Sequence, residues 1–281
     1  MSDKPSAVRH LPDRDRLSVL TAIILLAFAL ARFVDLPTRP VRAMLLGSSI
    51  GFDLNGPFVL LVLVAALISA GADSIMRSHP ALRGASPARG TVHWILPGGA
   101  ALGLGVLLNR LPAGVSWWSG LAFTAVFLVL VLAAEYTVIS PDDAGFYGAA
   151  LGLTALAYAI ALAFFGLLRE SSGRAAITAT AAALVSALIA LRLLLLAGAT
   201  ARESLPYAAV IGLCLGECTW ALNYWPAGPL GTGLVLLVIF YTLTGLAQQH
   251  LVGALKRRVI VKFGVVALVG LAATLRFALF V

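Results

Sequence analysis

Apolar residues in this chain run in long unbroken blocks, and polar residues are confined to the short breaks between them. A block such as VLLVLVAALI (59–68) is apolar on every side. It has neither the alternation of a half-buried strand nor the one-sided period of a soluble surface helix, and it reads as a helix in lipid or in a deep core. About 20 residues of helix cross a hydrocarbon layer roughly 30 Å thick. On that measure the pattern predicts nine spans, at 17–34, 56–76, 91–111, 116–139, 145–168, 174–199, 204–225, 231–255 and 259–281. Residues 1–16 read as a polar cytoplasmic tail and 17–281 as a single transmembrane domain. The longest connection, 35–55, has 21 residues, too few for a separate domain. The expected fold class is therefore all-α, an integral membrane helical bundle with short loops.

Composition strengthens that picture. Hydrophobic residues make up 60% of the 281, charged ones 11%, and the mean hydropathy is +0.99. A soluble domain is about a quarter charged, so this chain could not cover a water-facing surface. The net charge of +8 and pI near 10.1 would point to nucleic acid in a soluble protein; here the basic residues sit at span ends, where they orient helices and meet anionic headgroups. We therefore expect no nucleic-acid partner. Twelve Lys and Arg fall on the side of the N-terminus, in the tail and around residues 77–89, 202 and 256–262, against five on the other, at Arg39, Arg42, Arg110, Arg169 and Arg174. By the positive-inside rule the N-terminus lies in the cytoplasm and the C-terminus outside a cell membrane.

Some segments invite alternatives. The apolar stretch 17–31, with Ala29-Leu30-Ala31, resembles a signal-peptide core, and its removal would leave eight spans; an n-region that is acidic as well as basic favours retention. Residues 36–55 are too short to span and read as an interfacial loop, with a re-entrant half-helix as the alternative. In the third span Gly99 and Gly103 form a GxxxG, flanked by Gly98 and Gly105, which we read as an internal helix-packing face. Trp94, Trp117, Trp118, Tyr224 and Trp225 fall near span ends, as an interfacial belt requires.

Ionisable groups inside spans are costly and normally face the bundle interior or a cavity. Glu135, Arg192, Glu217 and Arg276 stand in that position. Matching depths pair Glu135 with Arg192 toward the cytoplasmic side and Glu217 with Arg276 toward the outer side, if the helices are neighbours. Such pairs serve as structural clamps or as parts of a proton or substrate path, and Asn223 and Tyr241 are further polar groups for such a path. Cys214, Glu217 and Cys218 share a helix face, but no histidine stands there to complete a metal site, and CxxxC is not a thiol-redox motif. His93, Gln248, Gln249 and His250 form a second candidate group at the cytoplasmic face, able to meet a lipid phosphate or a partner. Asp73 and His79, six residues apart around a basic turn, offer no ready metal geometry. There is no Walker, GxSxG, HExxH or Rossmann signature, so no catalytic residue, metal or cofactor is expected.

The segments AEYTVISPDD (134–143), ECTWALNYWP (217–226) and LKRRVIVKF (255–263) resemble an uncharacterised family of bacterial polytopic membrane proteins. TWALNYWP is the most specific part. The resemblance implies an all-helical membrane fold and supplies no activity. Three functions stay open: a small transporter or permease with a buried carboxylate, a structural or accessory subunit of a membrane complex (with a membrane protein or a second copy as partner), and a lipid-handling enzyme with Glu135 and the cytoplasmic-face group on a headgroup.

Overall fold

The computed structural model of the chain describes residues 12–34, 37, 39–45, 48–54, 56–82, 92–170 and 174–280. Lys4, Arg9, Arg83 and Arg89, four of the twelve basic residues on the side of the N-terminus, lie outside them. Among the described residues nine helices are long and apolar enough to cross a membrane. They are α1 (Arg14–Phe33), α2 (Gly56–Met76), α3 (Ile95–Arg110, preceded by a 3-10 turn Val92–Trp94), α4 (Val115–Thr137), α5 (Phe146–Glu170), α6 (Ala175–Leu196), α7 (Ala201–Leu222), α8 (Pro229–Leu251) and α9 (Arg257–Phe280). The expected all-α membrane bundle is thus the observed fold.

Within 36–55, expected as an interfacial loop, the described residues include two strands. Strands β1 (Arg39–Leu45) and β2 (Ser48–Leu54) pair antiparallel, with Arg39 opposite Leu54 and Leu45 opposite Ser48. A helix is disfavoured here because Pro40 lacks an N–H and Gly47, Ser48, Ser49 and Gly51 are weak helix formers. A hairpin satisfies the same backbone groups across its own ladder.

The chain divides into two compact units, 1–153 and 154–281. In the first, α1 packs on α2 and α4, and α3 packs on the same two helices, closing a four-helix arrangement. Its core is built from Ile24, Phe28, Ile68, Leu96, Leu128 and Leu132, all essentially inaccessible. Small residues let α3 approach its neighbours. A Cβ at Gly98 would stand 2.5 Å from Ser69 Oγ, and one at Gly105 2.6 Å from Leu61 Cδ2, whereas one at Gly103 would meet nothing within 4 Å.

In the second unit the closest seam joins α6 and α7. Gly212 and Gly216 of α7 lie against Ala179, Ala183 and Ala187 of α6, small residues four apart on both helices. This lets the backbones approach and gains dispersion, the main attraction between helices in lipid. Helix α8 packs on α6, α7 and α9. Both α6 and α8 end with a glycine in the left-handed region, Gly198 at φ 93° and Gly253 at φ 70°. The following amides, of Ala199 and Ala254, reach back to the carbonyls of Leu194 and Gln249, which satisfies otherwise orphaned acceptors. Helix α7 starts with a capping box in which the Thr200 and Glu203 side chains accept each other's backbone N–H.

Candidate functional site

At one end of the first unit the last turn of α4 meets the turn that opens α3. The 3-10 turn Val92–Trp94 carries His93 inward, and α4 carries Glu135 on the stripe that also buries Leu121, Leu128 and Leu132. Nδ1 of His93 and Oε2 of Glu135 are 2.7 Å apart, a hydrogen bond between side chains 42 residues apart in sequence. Both residues are buried, Glu135 completely. At that distance one proton lies between nitrogen and oxygen.

Other buried polar groups lie on the same connections. The ring of Tyr136, next to Glu135, meets the ring of His79 edge-on with centroids 4.6 Å apart. Nδ1 of His79 accepts from the Ala81 backbone N–H at 3.1 Å. The Asp143 carboxylate accepts from the Gly145 N–H at 2.8 Å and is itself buried. Asp73 forms a salt bridge with Arg77 one helical turn on, 2.6 Å long. Among the described residues no three His, Cys, Asp or Glu side chains are grouped to hold a metal ion. The chemistry such a pair offers is a proton shared between an imidazole and a carboxylate in a buried setting.

Glu135, matched by depth to Arg192, has His93 as one hydrogen-bond partner, and Arg192 is buried on α6. The structure does not join the two residues that the sequence pairs at the outer side. Glu217 lies on the exposed side of α7, and it forms no ion pair with Arg276, itself exposed on α9. The thiols Cys214 and Cys218 are half-buried and free.

The remaining candidates fall in the second unit. Asn223 ends α7, where its side-chain Nδ2 donates to Thr178 Oγ1 of α6 at 2.9 Å. Tyr241 packs its ring against those of Tyr158 and Phe263. Nε2 of Gln248 donates to the Leu193 carbonyl at 3.0 Å, so Gln248 ties α8 to α6. Gln249 is half-buried, and the exposed His250 sets its ring 5.6 Å from that of Tyr207. His93 belongs to the first unit, and Gln248, Gln249 and His250 to the second.

Two features escaped the sequence reading. The guanidinium of Arg169 donates to three carbonyls just beyond or at the end of α7: Trp225 at 2.8 Å, Ala227 at 3.1 Å and Asn223 at 3.4 Å. The NYWP tail is therefore clamped through its backbone as well as facing outward through Tyr224, which is 77% exposed. A cation on the last turn of a preceding span was the available signal. Second, Trp117 is buried in edge-on contact with Phe33 and Trp118, and of these two tryptophans only Trp118 faces outward.

The model of a family described as "Protein of unknown function (DUF5656)" matches residues 36–276, and the chain belongs to that family. No curated protein and no solved structure matches the chain.

Proposed function

We propose that this member of the DUF5656 family is a small proton-coupled membrane carrier whose protonatable element is the His93–Glu135 pair. The supporting observation is the 2.7 Å contact between an imidazole nitrogen and a fully buried carboxylate oxygen. Taking a lone carboxylate out of water costs several kcal/mol, and a hydrogen-bonded partner offsets part of it. A pair that can hold one proton or two meets that condition in both states, which is what a proton-coupled step requires. Intramembrane ionisable groups are also where proton relays are found.

The test is reconstitution into liposomes with a trapped pH dye, followed by gradients of sodium, potassium, amino acids and small organic anions. The expected result is a substrate-driven proton movement that Glu135→Gln abolishes. A Glu135→Gln variant that moves protons at the wild-type rate, or a wild-type protein no more active than empty liposomes across that panel, would overturn the proposal.

The same reading sets the N-terminus in the cytoplasm of a cell with the basic connections at anionic headgroups, on the Lys and Arg bias alone. Reporter fusions at the two termini test it; an exported N-terminus refutes it. A second reading, as a subunit of a larger membrane assembly, is favoured by the outward position of Glu217.

A further inference from the structure

Helix α7 is fixed in rotation by its small residues. Ser204, Ala208, Gly212, Gly216 and Thr219 are buried on one side, with Gly212 and Gly216 held against the α6 backbone. Glu217 is one residue past Gly216 and so points about 100° away from it. It falls on the outward stripe with Val210, Leu213 and Trp220, which are 58%, 65% and 46% exposed. Turning Glu217 inward would drive larger side chains into the α6 carbonyls. Glu217 has no hydrogen-bond or ion-pair partner among the described residues. A carboxylate held on the lipid-facing side of a span is anomalous, since such groups normally find a partner or water.

The chain itself carries a matching surface. Helix α9 is the least enclosed of the nine, with 6% of its membrane-length window buried against 33% for α7. Val261, Val265, Leu268, Ala272 and Arg276 recur at helical spacing on one exposed stripe. Arg276 offers a guanidinium with five donors, enough to receive a carboxylate beside its other contacts. Helices α7 and α9 run in the same direction, being separated by the single antiparallel span α8. Glu217 lies sixteen residues from Ala201 and Arg276 nineteen from Arg257, which is about 24 and 29 Å along their helices. Leu213 and Leu268 match more closely still, at roughly 18 and 17 Å.

We propose that two copies of this chain associate in the membrane through the outward faces of α7 and α9, with Glu217 of each copy bound by Arg276 of the other. A two-fold axis along the membrane normal leaves every residue at its own depth, so only groups at similar depth can meet, and the contact forms twice. The interface is a pair of apolar stripes carrying one opposite charge each. It does not depend on the proton-carrier reading, because the His93–Glu135 pair lies in the other unit.

Charge reversal tests it directly. The full chain in lipid nanodiscs is weighed by native mass spectrometry as wild type, Glu217→Arg, Arg276→Glu and the double variant. The wild type should be a dimer, each single variant a monomer, and the double variant a dimer again. Differently tagged Glu217→Arg and Arg276→Glu chains should associate with each other, because both pairs are restored in the mixed dimer; that result also shows that each variant is folded. A wild type that is monomeric, a Glu217→Arg variant that stays dimeric, or folded single variants that fail to associate would each overturn the proposal. A second measurement does not rely on the charges. In chains with Cys214→Ala and Cys218→Ala, Leu213→Cys on one tagged copy should form a disulfide with Leu268→Cys on another; its absence in folded protein refutes the interface.

Discussion

The seam between α6 and α7 can be probed with one methyl group. In Gly212→Ala the new Cβ would stand 2.5 Å from the Ala183 carbonyl oxygen and 2.8 Å from the Ala187 Cβ. Ordinary contact begins at 3.4 Å, so relief along the first line requires about 0.9 Å of separation, the difference of those two distances. The obstacle is backbone, which has no rotamer to turn away. Separating packed atoms by 0.5–1 Å forfeits roughly a quarter to a half of each dispersion contact, and overpacking of this kind costs about 1–3 kcal/mol. Alanine's better helix propensity returns about 1 kcal/mol, which leaves a net loss of about 0–2 kcal/mol. Gly103→Ala is the matched control: nothing lies within 4 Å of its Cβ, so only the propensity gain of about 1 kcal/mol applies. The assay is reversible unfolding by SDS in mixed micelles, followed by circular dichroism, with both variants against the wild type. The two should differ by about 1–3 kcal/mol, the sum of one variant's loss and the other's gain. Equal stability of the two variants, or a Gly212→Ala protein more stable than wild type, would refute the claim that backbone proximity holds α7 to α6.

Three further outcomes follow from side-chain bonds. Glu135→Leu leaves a buried histidine without this partner and should cost about 1–3 kcal/mol, while Glu135→Gln keeps a hydrogen-bonding group and should cost less; the same titration separates them, and equal losses would deny the hydrogen bond its structural share. Arg169→Met strips three carbonyls of a charged donor and should destabilise by about 1.5–3 kcal/mol, with faster amide exchange around residues 223–230; Arg169→Lys should recover only part, because one ammonium cannot reproduce the planar fork. Combining Thr178→Val with Asn223→Leu in a double-mutant cycle should give a coupling of about 0.5–1.5 kcal/mol, and strict additivity would show that the 2.9 Å bond contributes nothing.

The positions of the helices were legible because lipid imposes a length and a composition that no soluble context imitates. The second span was expected at 56–76 and α2 occupies Gly56–Met76; the first and eighth are displaced by at most four residues at an end. The hairpin at 39–54 was illegible for the opposite reason. Its fourteen paired residues carry no strict alternation, and apolar MLL next to GSSIG suits an interfacial turn as well as a ladder. Capping signals were present and unused: Thr200-x-x-Glu203 and the two terminal glycines, Gly198 and Gly253, mark helix ends from composition alone.

Rotational phase was the hard part, and it decided where each charge went. In water the polar side of a helix announces the outside; in lipid both sides are apolar and hydrophobicity carries no phase. Small residues supply it, but only when something on the neighbour fits them. Gly103 has the right spacing from Gly99, yet a Cβ there would meet nothing within 4 Å, whereas Gly98 and Gly105 have Ser69, Leu61 and Phe28 close opposite.

Once phase is known, the fate of a membrane carboxylate follows from its place on its own helix. Glu135 continues the buried series Leu121, Leu128 and Leu132 of α4, so it enters the unit and finds His93 across 42 residues. Glu217 falls off the buried series Gly212, Gly216 and Thr219 of α7. The packing that stabilises α7 is therefore what turns Glu217 outward, and stronger packing makes an inward turn costlier. Depth matching alone treated the two glutamates alike, because it compares distances along helices and ignores direction around them. The angular difference separates a carboxylate bonded within its unit from one that has no hydrogen-bond or ion-pair partner among the described residues.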